Sequence, residues 1–251
     1  MKPIGIVSAL AAEARTLGPA TRHGAELRRL ADGALLAVSG IGEGAAAAAA
    51  RRLVLAGAGG LVSFGMAGGL DPTLICGAVL LPEEIATIGG VGASAGAATA
   101  ATSAEWRRRL RGALPASCIV CGGKLLTSAR PIGRPEAKAA AWRSSRAAAV
   151  DMESAAIAQV AGQAGLPFIA LRVIVDTAAD ELPAAVVAAS GRGQLRIGVL
   201  LAGLLRAPGD VGALIRLSAR YRIARRVLAT ISGPDSAARS ALVGGPGAQT
   251  S

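Results

Sequence analysis

The sequence predicts an α/β fold, a three-layer α/β/α sandwich with a mixed, largely parallel central sheet. Two observations lead to this prediction. Short apolar runs alternate with helix-compatible stretches as far as about residue 175, which is typical of parallel strands joined by crossover helices. The runs are also almost continuously hydrophobic, as strands are when helices cover both faces of a sheet.

The individual elements follow in chain order. Residues 4–9 and 34–39 are apolar runs that end in small residues, and a helix-compatible stretch follows each of them. The complete set of expected elements is helices at 11–18 and 43–57, a helix that opens at Met152, and strands at 4–9, 34–39, 61–65, 76–81, 117–126 and 167–175. Ligands of such sheets collect at the carboxyl ends of the strands, so the functional site is expected there.

Composition divides the chain into three segments. Residues 1–190 form the main domain, residues 191–231 a basic amphipathic helical extension of it, and residues 232–251 a tail that is expected to be disordered. Within the main domain, residues 89–104 are small and uncharged, which predicts a mobile loop.

The overall composition is that of a globular protein. With 251 residues, 52% hydrophobic and 17% charged, the chain is too apolar for intrinsic disorder. Its few aromatic residues are scattered singly and offer no stacking platform, so nucleic-acid binding is not expected. Three cysteines are an odd set in a chain too large for a disulfide scaffold, which favours a reducing compartment and a cytoplasmic location.

Positive charge is concentrated near the C-terminus. The formal net charge is +11, and the stretch from Arg192 to Arg226 carries eight arginines against one acid, Asp210. Within it, apolar residues from Leu214 to Ile231 fall on one helical face. One interpretation is a helix whose apolar face packs on the domain while its arginines are solvated. The other is an interfacial helix that docks peripherally on an anionic membrane. The longest later apolar run, 197–205, is about half the length that a membrane-spanning helix needs.

Two glycine-rich motifs follow predicted strands. Residues 39–45 (SGIGEGA) fit the G-x-G-x-x-A pattern of dinucleotide-binding turns, but the next strand ends without an acid for a ribose hydroxyl. A turn that presents backbone N–H groups to an anion or a sugar oxygen is therefore favoured. The second motif, Gly65–Gly69, again follows a strand, the one at 61–65, and a tight turn is the structural alternative to a role in binding.

Cysteine and histidine offer no metal site. Cys118 and Cys121 match C-x-x-C, but such a site needs further ligands, and the single histidine, His23, is remote in sequence. The two cysteines are expected to be buried filler, and one histidine does not make a convincing catalytic triad.

Acidic residues are more informative. Glu13, Glu153 and Asp176 each lie just beyond an apolar strand, at ends that converge in this architecture. Asp176 directly follows an apolar run, which would raise the pKa of its carboxyl and keep a proton for general-acid catalysis. The structural alternative is that the negative charges of Asp151 and Glu153 interact favourably with the dipole at the start of a helix. In the same interpretation, Asp176 is the N-cap of the segment that follows it.

Five blocks in order resemble one family. They are residues 4–13 (IGIVSALAAE), 39–42 (SGIG), 65–70 (GMAGGL), 150–154 (VDMES) and 167–176 (PFIALRVIVD). Together they are similar to the nucleoside phosphorylase and nucleosidase superfamily, which includes the 5′-methylthioadenosine/S-adenosylhomocysteine nucleosidases. The whole chain, with its arginine-rich extension, most resembles the hopanoid-associated phosphorylase branch, which implies release of adenine from adenosylhopane. The main domain would then be a phosphorylase-like catalytic domain.

The resemblance implies roles for individual residues. Asp176 would protonate or hydrogen-bond N7 of the purine, Glu13 would orient or deprotonate an attacking water, and Glu153 would hold the ribose hydroxyls. The other substrate-binding residues that it implies are Met152, Val150, Ile132, Met66, Ala67, Gly68 and Ile41. It implies no metal and no organic cofactor, leaves phosphate open as a co-substrate, and implies a homodimer.

Departures from the family pattern leave alternatives open. Pro131 replaces the aromatic residue that stacks on adenine in the nucleosidases, and Ser63 replaces the phosphate-binding arginine of the phosphorylases. The second weakens phosphorolysis, although Arg130 or an arginine of a neighbouring subunit could still bind phosphate. The alternatives are a soluble methylthioadenosine or purine nucleosidase or phosphorylase, and a non-catalytic protein that binds nucleosides or associates with membranes.

Overall fold

The structure, a computed structural model, describes residues 2–24, 26–87, 99–182 and 210–246. Within these ranges the strands are β1 (Ile4–Ser8), β2 (Ala20–His23), β3 (Leu27–Leu30), β4 (Leu35–Val38), β5 (Gly60–Gly69), β6 (Val79–Leu80), β7 (Glu84–Thr87), β8 (Thr99–Ala101), β9 (Val120–Cys121), β10 (Lys124–Thr127), β11 (Ala147–Asp151) and β12 (Phe168–Asp176). The helices are α1 (Ala11–Ala14), with a 3₁₀ turn at Arg15–Leu17, α2 (Glu43–Leu55), α3 (Ala104–Ala113), α4 (Pro135–Ser145), α5 (Ser154–Gln163), α6 (Asp210–Ser232) and α7 (Ala237–Val243).

All the strands join one mixed sheet, which confirms the predicted fold class. Its main path runs β2-β3-β4-β1-β5-β11-β10-β7-β8, while β12 pairs with β5 and β6, and β6 pairs with β9. The pairs β1–β4, β1–β5, β5–β12, β10–β11 and β7–β10 are parallel. The hairpins β2–β3 and β7–β8 and the pair β5–β11 are antiparallel.

The long strand β5 is the branch point that creates the site. Along one edge it pairs with β12 over most of its length. On the other edge it pairs with β1 as far as Phe64, and β11 then takes over at Gly68 and Gly69. The carboxyl ends of β1, β5, β11 and β12 therefore meet at one place.

Helices cover both faces of the sheet. Along β12, Phe168 and Ala170 belong to an apolar cluster with side chains of α2 and α5. Ile169 and Leu171 alternate with them and belong to a second cluster with side chains of α3, α6 and α7. Burial on both faces explains why this strand is continuously hydrophobic in sequence.

The tight turn that was the structural alternative for Gly65–Gly69 is wrong, because these residues are the second half of β5. They continue the ladder to β12, and their glycines permit a close approach instead of a reversal of the chain. A Cβ on Gly68 would lie 3.3 Å from both carboxylate oxygens of Asp176. A Cβ on Gly69 would lie 3.0 Å from the Asp176 carbonyl oxygen.

Other expected boundaries also differ. The strand predicted at 117–126 is two strands, β9 and β10, separated by glycines, and the helix predicted to open at Met152 begins at Ser154. The loop predicted at 89–104 is wrong for residues 99–101, which form β8, and for residue 104, where α3 begins. Residues 89–98 lie outside the described residues. Cys118 and Cys121 are half-buried rather than buried, although both pack against core clusters.

The disordered tail predicted from residue 232 is wrong for α7. Ala238 and Leu242 on this helix are buried, and the indole N–H of Trp106 donates to the carbonyl oxygens of Ala241 and Leu242, both at 3.1 Å. Arg239 also donates to Asp32 at 2.6 Å. The boundary at residue 190 and the arginines at 192, 196 and 206 lie outside the described residues.

The described part of the basic extension is helical. In α6, Ala224, Leu228 and Ile231 are buried against the domain. Its exposed arginines are Arg216, Arg222, Arg225 and Arg226. Among the described residues, no helix combines the length and the apolar character that spanning a membrane requires.

Candidate active site

A cavity of about 230 Å³ opens where β1, β5, β11 and β12 end. All ten residues that the sequence analysis assigned to the site line this cavity: Glu13, Ile41, Met66, Ala67, Gly68, Ile132, Val150, Met152, Glu153 and Asp176. Their individual roles stay predictions. The topology alone explains the convergence, because segments far apart in sequence leave the sheet at the same edge.

Glu13 is buried at one side of the cavity. It lies on α1, directly after β1, and its Oε2 accepts hydrogen bonds from the Ser8 hydroxyl and the Leu10 N–H, both at 3.2 Å. Its Oε1 accepts the Met66 N–H at 2.9 Å. Burial raises the pKa of the Glu13 carboxyl, although the Arg172 guanidinium and these hydrogen bonds oppose the rise. The group is therefore held in place by three hydrogen bonds, and it binds a proton more readily than an exposed glutamate does.

Gly65 allows two charged side chains to lie against the strand. A Cβ at this position would be 2.8 Å from Glu13 Oε2 and 2.9 Å from Arg172 Nη1. Real Cβ atoms do not make contacts this short, so any larger residue at position 65 has to displace the carboxylate, the guanidinium or both. Only glycine fits this arrangement.

A buried polar network lies beneath the cavity. The Arg172 guanidinium donates from Nε and Nη2 to Asp151 Oδ2, at 3.0 and 2.7 Å. It also donates to the hydroxyls of Ser63, at 2.6 Å, and Ser154, at 3.1 Å. Asp151 Oδ1 accepts the Thr127 hydroxyl at 2.8 Å. Loss of either Arg172 or Asp151 would leave the other buried charge without its partner, which is strongly destabilising.

Arg172 remains charged in this environment. Burial by itself lowers the pKa of its guanidinium, but the neighbouring carboxylates, Asp151 first, outweigh that effect and raise it. Asp151 also accepts the Ser154 N–H at 3.2 Å, at the start of α5, as a helix cap would. Asp151 therefore both caps the start of α5 and belongs to the buried polar network.

Glu153 connects the cavity to the first glycine motif. Its Oε1 accepts the Gly42 N–H at 2.8 Å, and Oε2 accepts the Met152 N–H at 3.3 Å. It makes no side-chain capping bond to α5. Burial, and then the negative charge of Asp151, raise the pKa of Glu153 to about 7, although Arg172 opposes this. Near neutral pH both protonation states of Glu153 are therefore populated.

Asp176 closes the opposite side of the cavity. It ends β12, and its Oδ2 accepts a hydrogen bond from the Lys138 ammonium, which comes from α4. Burial raises the pKa of the Asp176 carboxyl, and the charge and hydrogen bond of Lys138 act against this rise. Residues 177–182 form no helix, so Asp176 does not serve as an N-cap in the described part of the chain.

Two charged residues of the site were missed by the sequence reasoning. Arg172 had a detectable signal, because a charge within a buried apolar strand requires partners. Lys138 had none, because it lies in a stretch (PEAKAAAW) that reads as an ordinary exposed helix. The cavity is also lined by Ala9, Leu10, Arg130, Pro131, Asp151, Val175, Leu182 and Tyr221.

A metal centre does not emerge from the geometry. Within the described ranges, no three His, Cys, Asp or Glu side chains are grouped so that they could hold a metal ion. Four buried carboxyl groups line the cavity, those of Glu13, Asp151, Glu153 and Asp176. The guanidinium of Arg130 also lines it, and the buried cations Arg172 and Lys138 pair with Asp151 and Asp176 from outside the lining.

Comparison with known proteins points to one family. The sequence model of the phosphorylase superfamily matches residues 3–206. No curated protein sequence matches the chain significantly.

Solved structures share the fold at low sequence identity. A Helicobacter pylori 5′-methylthioadenosine nucleosidase variant with 5′-methylthioadenosine in its active site is 20% identical, with a TM-score of 0.64 over 84% of this chain and 99% of that one. The Neisseria meningitidis 5′-methylthioadenosine/S-adenosylhomocysteine nucleosidase, in complex with methylthio-immucillin-A, is 23% identical, with a TM-score of 0.64 over 82% and 100%. The H. pylori futalosine hydrolase is 19% identical, with a TM-score of 0.63 over 86% and 97%.

Proposed function

The chain belongs to the phosphorylase superfamily, and from this premise we propose that it cleaves the N-glycosidic bond of an adenosine derivative. The observation that carries the proposal is the convergence of Glu13, Glu153 and Asp176, all buried, on one cavity. Breaking a glycosidic bond requires an acid at the leaving base and a carboxylate near the sugar. The similar structures that bind methylthioadenosine or its analogues support the same substrate class.

The proposed reaction uses the three carboxyl groups in different ways. The bond between the ribose carbon and N9 breaks, and its electron pair moves into the purine, which takes a proton at N7 from Asp176. Water adds to the ribose carbon and gives its proton to Glu13. Glu153 accepts hydrogen bonds from the ribose hydroxyls, and Met152 packs on the sugar. We propose no metal or organic cofactor for these steps.

We propose water rather than phosphate as the nucleophile. Phosphorolysis would need a cation with free donors beside the sugar. Ser63 stands where related phosphorylases carry an arginine, and its hydroxyl is already bonded to Arg172 and Ser154. Glu13 lies beside Met66 in the position of a base that could take the proton of water. Arg130, which also lines the cavity, is the candidate phosphate ligand if phosphate proves to be required.

For the 5′ substituent we propose a bulky hydrophobic group, with adenosylhopane as the substrate. The cavity of about 230 Å³ is at the small end for ligand sites and suits a nucleoside, so a polycyclic hydrocarbon has to extend beyond it. Part of its lining is apolar or aromatic, from Leu10, Val175, Leu182 and Tyr221. Such a substrate resides in a membrane, and the exposed arginines of α6 favour peripheral contact with an anionic surface.

The test is a panel of nucleosides. Adenosylhopane in detergent, methylthioadenosine and adenosine would each be incubated with the protein, with and without phosphate, and adenine release would be followed while the sugar product is identified by mass. We expect release from adenosylhopane, independent of phosphate, with the free ribosyl product. A phosphoribosyl product would overturn hydrolysis, and no release from any nucleoside would overturn the enzyme assignment.

A second candidate is a soluble methylthioadenosine or S-adenosylhomocysteine nucleosidase. The observation that favours it is the similarity to two such nucleosidases over almost their entire length. In the same panel it predicts fast turnover of methylthioadenosine and none of adenosylhopane. A homodimer is proposed for either function, and sedimentation velocity would establish it.

A further inference from the structure

Lys138 is the only lysine in the described residues that is fully buried, and each of its three N–H bonds has an acceptor. The ammonium donates to Asp176 Oδ2, to the carbonyl oxygen of Thr177 at 2.8 Å and to that of Asp180 at 2.9 Å. Lysine is almost never buried unless it is paired, because removing its charge from water costs on the order of several kcal/mol. The partner that compensates here is the predicted general acid.

The position of Lys138 on its helix strengthens this point. Lys138 and Ala141 form the buried side of α4, whereas Glu136, Ala137 and Arg143 are exposed. An apolar residue at position 138 would pack against the domain without any desolvation cost. A lysine at this position therefore needs a reason other than packing.

The segment after Asp176 is held from a second side as well. Asp180 Oδ2 accepts the backbone N–H of Thr177 at 2.8 Å and its hydroxyl at 2.6 Å, and it pairs with Arg220 of α6. The segment 176–180 is thus tied to α4 and to α6 by one cation each. The carboxylate of Asp176 has little freedom to turn.

We propose that Lys138 is a positioning residue for the general acid: its ammonium fixes the orientation of the Asp176 carboxyl group and supports the loss of its proton to the base. The inference rests on the proposed function, in which Asp176 gives a proton to N7. The proton leaves Asp176 and a carboxylate remains, beside the positive charge of Lys138. This charge stabilises the carboxylate that the reaction produces.

The charged and titratable groups around Asp176 define what a titration would report. Lys138 faces it from α4, Arg220 from α6, and Cys76 from the segment before β6. Asp180 lies on the same segment. Burial has the largest effect on the pKa of Asp176 and raises it, and the largest effect that lowers this pKa is the charge of Lys138. Removing it should raise that pKa, while removing Arg220 should have a smaller effect in the same direction.

The experiment compares Lys138→Met and Lys138→Arg with the wild type. In Lys138→Met we expect kcat to fall roughly tenfold to a hundredfold, a part of what general acids typically contribute. Activity is lost as pH rises through the pKa of Asp176, so the alkaline limb of the pH profile should move upward by about 1 to 3 pH units. Lys138→Arg keeps the charge and should leave this limb near its wild-type position. Lys124→Met, at a partly exposed lysine that pairs with Glu84, is the matched control and should change neither quantity.

A double variant separates positioning from general support of the fold. If Lys138 acts through Asp176, then Lys138→Met should cause no further loss of kcat in the Asp176→Asn background. This background contains no buried carboxylate at position 176, so the double variant also avoids an unpaired charge. An equal loss in both backgrounds would overturn the proposal.

A carboxyl titration tests the proposal without using activity. The ¹³C resonance of Asp176, assigned by its absence in Asp176→Asn, should titrate about 1 to 3 pH units higher in Lys138→Met than in the wild type. An unchanged midpoint would overturn the inference about Lys138. Failure of the wild type to release adenine from any nucleoside would instead overturn the proposed function, so the two failures are distinguishable.

Discussion

Single residues determine the chemistry of this cavity through what lies next to them. Asp176, Glu13 and Glu153 have the same functional group, yet their surroundings differ: Asp176 contacts an ammonium, Glu13 three hydrogen-bond donors, and Glu153 the backbone of a glycine turn. Burial raises the pKa of all three carboxyl groups. Distinct environments for identical groups are how proteins separate acid and base roles.

Asp176→Asn should lose nearly all activity while the protein still folds, with lower stability because the buried Lys138 ammonium loses its carboxylate partner. The amide cannot give a proton to the leaving base, and general-acid catalysis is typically worth about 10² to 10⁴ in rate. Adenine release measures the loss, and thermal unfolding checks the fold. Asp235→Asn, at an exposed aspartate, is the control with the same chemical change. Wild-type turnover by Asp176→Asn would contradict the role of Asp176.

Gly65→Ala should reduce kcat by at least roughly tenfold, since a 1 Å displacement can cost about 10² in rate. Its methyl group would overlap Glu13 Oε2 and Arg172 Nη1, so the carboxylate, the guanidinium or both have to move. Gly112→Ala is the control, because a Cβ there meets nothing within 4 Å and alanine favours the helix α3. If the two variants have equal activity, Glu13 does not need its present position.

Glu153→Gln should reduce the pH dependence of stability. The pKa of Glu153 is raised from 4.5 to about 7 in the folded state, so the folded protein binds this proton more tightly than the unfolded chain does. The resulting stabilisation of the fold is fully present below pH 4.5 and is lost as pH rises through about 7. That shift corresponds to a change on the order of 3 kcal/mol in the free energy of unfolding between pH 4.5 and 8. Urea unfolding at pH 5 and pH 8 measures it. Glu136→Gln, at an exposed glutamate, should behave like the wild type; the same behaviour in Glu153→Gln would contradict the pKa assignment.

Elements differ in how visible they are in the sequence. Strands β1, β4, β5 and β12 are buried on both faces and stand out as apolar runs. The hairpin of β2 and β3 was not predicted, because its exposed positions carry arginines and leave too few apolar residues for a period-2 pattern. Glycines in β5 suggested a turn, since their reason is a tertiary contact with Asp176 that sequence spacing does not reveal.

The same distinction holds for the site. Three acids were found because each follows an apolar strand, and the sheet brings such positions together. The partner of Asp176 was not found, because Lys138 comes from α4, whose inner face has no long apolar stripe. A long-range ion pair depends on how a helix docks, and one sequence contains no signal for that.

Leu242→Ala should show that α7 belongs to the folded domain. Leu242 is buried in the cluster that contains Trp106, so truncation should lower the free energy of unfolding by about 2 to 5 kcal/mol. Urea denaturation measures this difference. Leu55→Ala, at a leucine that is 87% exposed on α2, is the matched control and should stay within about 0.5 kcal/mol of the wild type. A cost that small for Leu242→Ala would mean that α7 contributes little.

At the scale of the whole molecule, α6 links the cavity to the outer surface. Tyr221 on this helix lines the cavity, and Arg220 pairs with Asp180 in the segment after Asp176. The outward side of the same helix carries four exposed arginines, and Ile215 and Ile223 are 63% and 48% exposed beside them. A helix with this distribution can contact an anionic lipid surface while it borders the cavity.

Replacing three arginines of α6 with glutamine should weaken binding to anionic membranes. Each arginine near such a surface is worth about 1 kcal/mol, so Arg222, Arg225 and Arg226 together should account for roughly a hundredfold in affinity. Flotation with phosphatidylcholine vesicles, with and without phosphatidylglycerol, measures it, and high salt should abolish the difference. The control removes the same charge from exposed arginines elsewhere: Arg28, Arg51 and Arg143. If both triple variants bind the vesicles equally well, the net charge of the protein rather than α6 attracts it to lipid. If the wild type does not float with anionic vesicles, the arginines of α6 are only solvated, and the membrane part of the proposed function is wrong.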